Sequence, residues 1–105
     1  MRRVNESIRE IVGDAIATEL KDPRIGFVTV TEVDTSPDLR SARVYVSVLG
    51  DEGARERSLD GLRSSHGVLQ SKIATAMRMK RTPTLTFEYD DSVERGDRIT
   101  RLLDE

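Results

Sequence analysis

Apolar residues recur along residues 2 to 21 with helical spacing. Val4, Ile8, Ile11, Val12 and Ala15 form one stripe, continued less regularly by Ile16 and Leu20. The pattern predicts an amphipathic helix over 2–21, ended by Asp22-Pro23, because a residue before proline is pushed out of the α region. The period then changes from 3.6 to 2. "GFVTVTEVD" (26–34) is rich in β-branched residues and reads as a strand, and "TSPDL" is a turn signal. In "SARVYVSVL" (41–49), Ala42, Val44, Val46 and Val48 share one face, and Arg43, Tyr45 and Ser47 the other. The short connection predicts an antiparallel hairpin. "GDEG" is a loop, with Asp51 or Glu52 at the start of the next helix, where negative charge is favoured.

The third apolar stretch is interrupted. Leu59 and Leu62 are followed at helical spacing by Leu69, Ile73, Ala76 and Met77, but Ser64, Ser65, His66 and Gly67 stand between. Glycine costs about 1 kcal/mol against alanine within a helix, and serine competes for backbone hydrogen bonds. A helix over roughly 53–79 with a break at Ser65–Gly67 is expected, glycine supplying backbone freedom. Pro83 then leads into "TLTFEYD", a strand with Leu85, Phe87 and Tyr89 on one face. Asp90-Asp91-Ser92 is a turn and N-cap signal. The remaining "SVERGDRITRLLDE" reads as a short helix or frayed tail with Ile99, Leu102 and Leu103. The order is α-β-β-α-α-β. The polar outer face of the second strand implies a sheet covered by helices on one side, in the α+β class.

Composition narrows the function. The chain of 105 residues is expected to form one domain over 1–105 and one modest core. With no cysteine, disulfides and thiolate chemistry are excluded. Aromatic content of 4% argues against a stacking platform for single-stranded nucleic acid. No apolar run at "MRRVNESIRE" indicates a signal peptide, and no run approaches the ~20 apolar residues of a membrane span. A cytoplasmic location is the simplest expectation.

Charge is segregated. From Gly61 to Phe87 there is no acid, while Arg63, Lys72, Arg78, Lys80 and Arg81 give five cations; the rest of the chain is acidic, and the net charge is −2. A local field of this kind suits an anionic partner. Arg78, opposite Leu69 on the helical wheel, is expected to be exposed; Lys72 flanks the apolar face and is expected to snorkel. Cations at a helix C-terminus also complement its dipole, and that account fits Arg78, Lys80 and Arg81 as well. Arg2, Arg3 and Arg9 form a second basic feature, which is either a solvated helix face or a contact. His66 is read as the variable middle residue of the break. Catalysis has little to stand on: Asp90 and Asp91 point to opposite faces in a strand, and no metal cluster, nucleophile–base pair or phosphate loop is evident. No cofactor and no metal are expected, and the protein is not expected to be an enzyme.

"RVNESIREIV", "ELKDPRIGFVTVTEVDTSPDLRSARVYVSVLG" and "LTFEYDDSVERGDRITRLL" together resemble the ribosome-binding factor A family, bacterial assembly factors of the small ribosomal subunit. The resemblance runs over nearly the whole chain. It implies a KH-like (type II) fold with a helix–kink–helix in place of the Gly-x-x-Gly loop that clamps nucleic acid in RNA-binding KH domains. The usual Ala-x-Gly break is Ser65-His66-Gly67 here. It further implies a non-catalytic, monomeric protein with a role in cold adaptation. Such a protein binds the immature small subunit and its ribosomal RNA, near the 5′ end and decoding region, to assist late maturation and RNA processing, with other assembly factors as candidate further partners. On that reading Arg63, Lys72, Arg78, Lys80, Arg81, Arg2 and Arg3 are the RNA-contacting candidates. The alternative is a protein–protein adaptor that meets ribosomal proteins or another factor.

Overall fold

A computed structural model describes residues 2–92. The C-terminal helix expected from "SVERGDRITRLLDE" lies outside the described residues, apart from Ser92. The elements are α1 (Arg2–Thr18), β1 (Val28–Thr35), β2 (Ser41–Val48), α2 (Glu52–Ser64), α3 (His66–Met77) and β3 (Thr84–Tyr89). The sheet order is β1-β2-β3, with β2 antiparallel to β1 and parallel to β3.

The period-2 pattern of β2 decides which face is covered. Ala42, Val44 and Val46 are fully buried, joined by Val30 and Val33 of β1 and by Leu85 and Phe87 of β3. Ile8, Val12 and Ala15 of α1, Leu59 and Leu62 of α2, and Leu69 and Ile73 of α3 close the core from one side. On the opposite face Thr29, Glu32, Asp34, Arg43 and Thr86 are exposed.

Two boundaries and the width of one apolar stripe differ from expectation. α1 stops at Thr18, short of Lys21. The Thr18 hydroxyl donates to Asp14 O at 2.7 Å, and the amides of Glu19 and Leu20 both donate to Ala15 O at 2.9 Å, which closes the helix. The freed loop then packs on α2: the Ser58 hydroxyl accepts from Gly26 N–H at 3.1 Å, and so β1 starts at Val28 rather than at Gly26. At α3 the apolar stripe is narrower than the spacing suggested, because Ala76 is exposed and Met77 only half-buried.

The break between α2 and α3 falls on one residue, Ser65, at φ −89° and ψ 8°. Its amide donates to Gly61 O and Leu62 O at 3.1 Å, and its carbonyl accepts from Leu69 N–H at 3.1 Å. This corrects the role given to Gly67. Gly67 lies inside α3 without a positive φ, and a Cβ there would meet nothing within 4 Å. Any L-residue can adopt the backbone at Ser65, so the kink does not depend on glycine. The glycine that matters sterically is Gly61, where a Cβ would sit 2.6 Å from Ile25 Cγ1. It lets the 22–25 loop approach α2.

Candidate nucleic-acid interface

Three chain crossings gather one end of the molecule. Asn5 Oδ1 accepts from Thr35 N–H at 3.1 Å, joining α1 to the end of β1. Thr84 N–H donates to Arg40 O at 2.9 Å, joining the β1–β2 turn to the start of β3. The Gln70 side chain spans the third: its amide nitrogen donates to Pro83 O, and its Oε1 accepts from Leu85 N–H at 3.1 Å. Residues 78–83 therefore form an arch anchored at α3 on one side and by Gln70 on the other.

Arg78 caps α3 in the left-handed region at φ 51°, its amide donating to Ala74 O at 3.2 Å. Glycine usually fills this position, and a side chain there costs about 1–2 kcal/mol. The turn aims the following residues away from the core. Arg78, Lys80 and Arg81 are exposed, and they form no ion pair among the described residues, whereas Pro83, at the end of the arch, is buried.

The other two cations of the acid-free stretch are engaged. Lys72 Nζ pairs with the Glu19 carboxylate, tying α3 to the end of α1. The Arg63 guanidinium donates to Phe87 O at 3.0 Å and so covers part of the outer edge of β3, although the residue as a whole stays exposed. Arg2 and Arg3 lie at the exposed start of α1, with Arg2 3.5 Å from Glu6. Arg3 shares with Met77 and Met79 a groove between α1 and the end of α3, which places it beside the arch. Arg9 is exposed but lines a different groove, against β1. The kink residues Ser65 and His66 are half-buried, and Gly67 is exposed.

Two participants escape a reading along the sequence. Arg40 sits next to the arch through Thr84, with its guanidinium 3.9 Å from Asp38. Asp38 is held below the ordinary carboxylate range by the Ser36 hydroxyl and then by the Arg40 amide. Gln70 fixes the arch but carries no charge to mark it.

Among the described residues no group of three or more histidines and acids is arranged to hold a metal ion. Both oxygens of Asp90 are engaged locally, Oδ2 accepting from the Thr31 hydroxyl at 2.7 Å and Oδ1 from Ser92 N–H at 3.0 Å. No helix among the described residues is long and apolar enough to cross a membrane.

An α-β-β-α-α-β chain with a three-stranded mixed sheet, and a one-residue break where a nucleic-acid clamp loop would fall, defines a KH-like α+β protein. The family profile of ribosome-binding factor A matches residues 1–103, and the chain belongs to that family. It is similar to the crystal structure of ribosome-binding factor A from Thermus thermophilus, at 28% identity and a TM-score of 0.75, over 84% of this chain and 92% of that one. A solution structure of a Thermotoga maritima protein described as a putative ribosome-binding factor A gives 30% identity and a TM-score of 0.75, over 83% of each chain. A homology model of the Thermus thermophilus factor, fitted into a cryo-electron microscopy map of its complex with the 30S subunit, gives 30% identity and a TM-score of 0.66, over 83% of this chain and 91% of that one.

Proposed function

We propose that this protein is a non-catalytic assembly factor. In this reading it binds the immature small ribosomal subunit and touches ribosomal RNA through Arg78, Lys80 and Arg81. The observation that carries the RNA contact is the arch itself, three exposed cations without acidic partners among the described residues, on a backbone pinned by Gln70. Membership of the ribosome-binding factor A family, and the Thermus thermophilus relative fitted into a 30S complex, supply the partner.

The chemistry is electrostatic. Each cation placed on a phosphate releases condensed counterions, and a pinned backbone spares part of the entropy of ordering the site. Arg3, at the same end, extends the positive surface, and Arg40 adds to it only in part, because Asp38 lies 3.9 Å from its guanidinium. Arg63 contributes only with the part of its guanidinium not committed to Phe87, and Lys72 stands behind the surface, neutralised by Glu19. The contact near the RNA 5′ end and decoding region, and the help given to late maturation in the cytoplasm, belong to the same proposal.

The experiment is sedimentation of tagged protein with precursor small subunits, mature small subunits and whole ribosomes. Co-migration with small subunits, lost when Arg78, Lys80 and Arg81 are all changed to alanine, is expected. Migration free of small subunits, or a triple variant that migrates as the wild type does, overturns the assignment.

A further inference from the structure

Among the described residues no strand pairs with the outer edge of β1, and that edge faces a groove. Val28↔Val48 and Val30↔Val46 are register partners, and the Leu49 amide donates to Phe27 O at 3.0 Å. In an antiparallel ladder hydrogen-bonded and non-bonded pairs alternate. Phe27 and Thr29 therefore face β2, and the N–H and C=O of Val28 and Val30 turn outward to the edge. The register then shifts between Val30 and Glu32, where a bulge ends this regular stretch. Opposite the edge runs one flank of α1. Glu6, Arg9, Glu10, Gly13 and Asp14 line, with Val28–Val30, a groove of about 640 Å³.

The groove has a sign. Three carboxylates face one guanidinium there, and Glu10 and Asp14 form no ion pair among the described residues, Glu6 alone being engaged, by Arg2. This is the wrong sign for nucleic acid. On the other face of the same strand Phe27 is 79% exposed, next to its cross-strand partner Leu49 at 75%. Unpaired strand edges are templates for added strands, and side chains of an added strand alternate between faces.

We infer that the β1 edge is a docking site for an extended basic segment of a partner protein, bound as a fourth strand. Its backbone pairs with Val28 and Val30. Its alternate side chains are lysine or arginine toward Glu6, Glu10 and Asp14, and apolar toward Phe27. Glu10 also lines the groove that Arg3 shares with Met79 of the arch, but Val28 and Val30 do not, so pairing at the strand is tested apart from RNA contact.

The probe is a short synthetic peptide alternating lysine and valine, capped at both ends. It is titrated into the intact protein while backbone amide shifts are followed by NMR. The Val28 and Val30 amides are expected to move most and to gain protection from hydrogen exchange. Gly13→Leu should block the groove, because a Cβ at Gly13 points into space empty to 4 Å, and should weaken binding about tenfold or more in a protein still folded by circular dichroism. Should Gly13→Leu disturb the fold, the exposed pair Glu10→Lys with Asp14→Lys serves instead and should transfer preference to a glutamate–valine peptide. Shifts that map away from β1, equal binding of both peptides by the wild type, or protection of the same amides by ribosomal RNA would each refute the docking site.

Discussion

Replacing Gly67 by alanine separates two accounts of the break in the long helix. If glycine supplied a backbone conformation that other residues resist, Gly67→Ala would destabilise the protein. The structure reverses the sign. Gly67 is the second residue of α3, it has no positive φ, it is exposed, and a Cβ there would meet nothing within 4 Å. Alanine loses less conformational entropy on folding, and Gly→Ala at a compatible helical site stabilises by about 0.5–1 kcal/mol. For a domain of this size each kcal/mol shifts Tm by about 4–8 °C, so a rise of roughly 2–8 °C is expected. Thermal unfolding followed by circular dichroism reads it, with chemical denaturation to check that the m-value is unchanged. A fall in Tm would refute the placement of the kink at Ser65 and return the hinge to Gly67.

Gly61→Ala should act oppositely: its Cβ would sit 2.6 Å from Ile25 Cγ1, and overpacking of this kind costs about 1–3 kcal/mol, visible as a lowered denaturation midpoint. Arg78→Gly should raise stability by about 1 kcal/mol through relief of the left-handed side chain, and at the same time weaken RNA affinity by removing a cation; unchanged affinity in a titration with ribosomal RNA would take Arg78 out of the interface. Asp22 is held down to about 2 by the Arg24 side chain and amide, against a usual value of 3.8. A depressed carboxylate contributes stability that is present above its unfolded pKa and is lost as pH falls toward the folded one. Asp22→Asn should therefore lower stability at neutral pH and make the loss between about pH 4 and pH 2 shallower, as read by denaturation at both ends of that window.

The elements with strong periodicity were legible in the sequence. Of the four residues expected on the inner face of β2, Ala42, Val44 and Val46 are fully buried and Val48, at the strand end, is half-buried, and the stripe Ile8, Val12, Ala15 forms the core face of α1. What escaped depends on tertiary contact. The early end of α1 follows from a loop that must reach Ser58 and Gly61, more than thirty residues away in the chain. The role of Gly67 was misjudged because glycine beside serines signals a break without saying which residue bends. At the site, the acid-free stretch marked Arg78, Lys80 and Arg81, and all three are exposed. It could not show that Lys72 is paired with Glu19 or that Arg63 donates to Phe87, since both partners come from outside the helix on which these cations lie. Gln70 left no trace, because an uncharged side chain at a half-buried helical position looks like many others.

The most direct test of RNA contact is the salt dependence of affinity. Wild type and the variant with Arg78, Lys80 and Arg81 changed to alanine are titrated against small-subunit ribosomal RNA across a salt series. Each phosphate contact contributes about 0.7–0.9 to the steepness of log K against log salt. Loss of three should flatten the slope by about 2–3 units, with the largest loss of affinity at low salt and an unchanged circular dichroism spectrum. A folded variant that keeps the wild-type slope would contradict the account, and so would naked-RNA binding too weak to measure in the wild type, which is what a purely protein-binding adaptor would show.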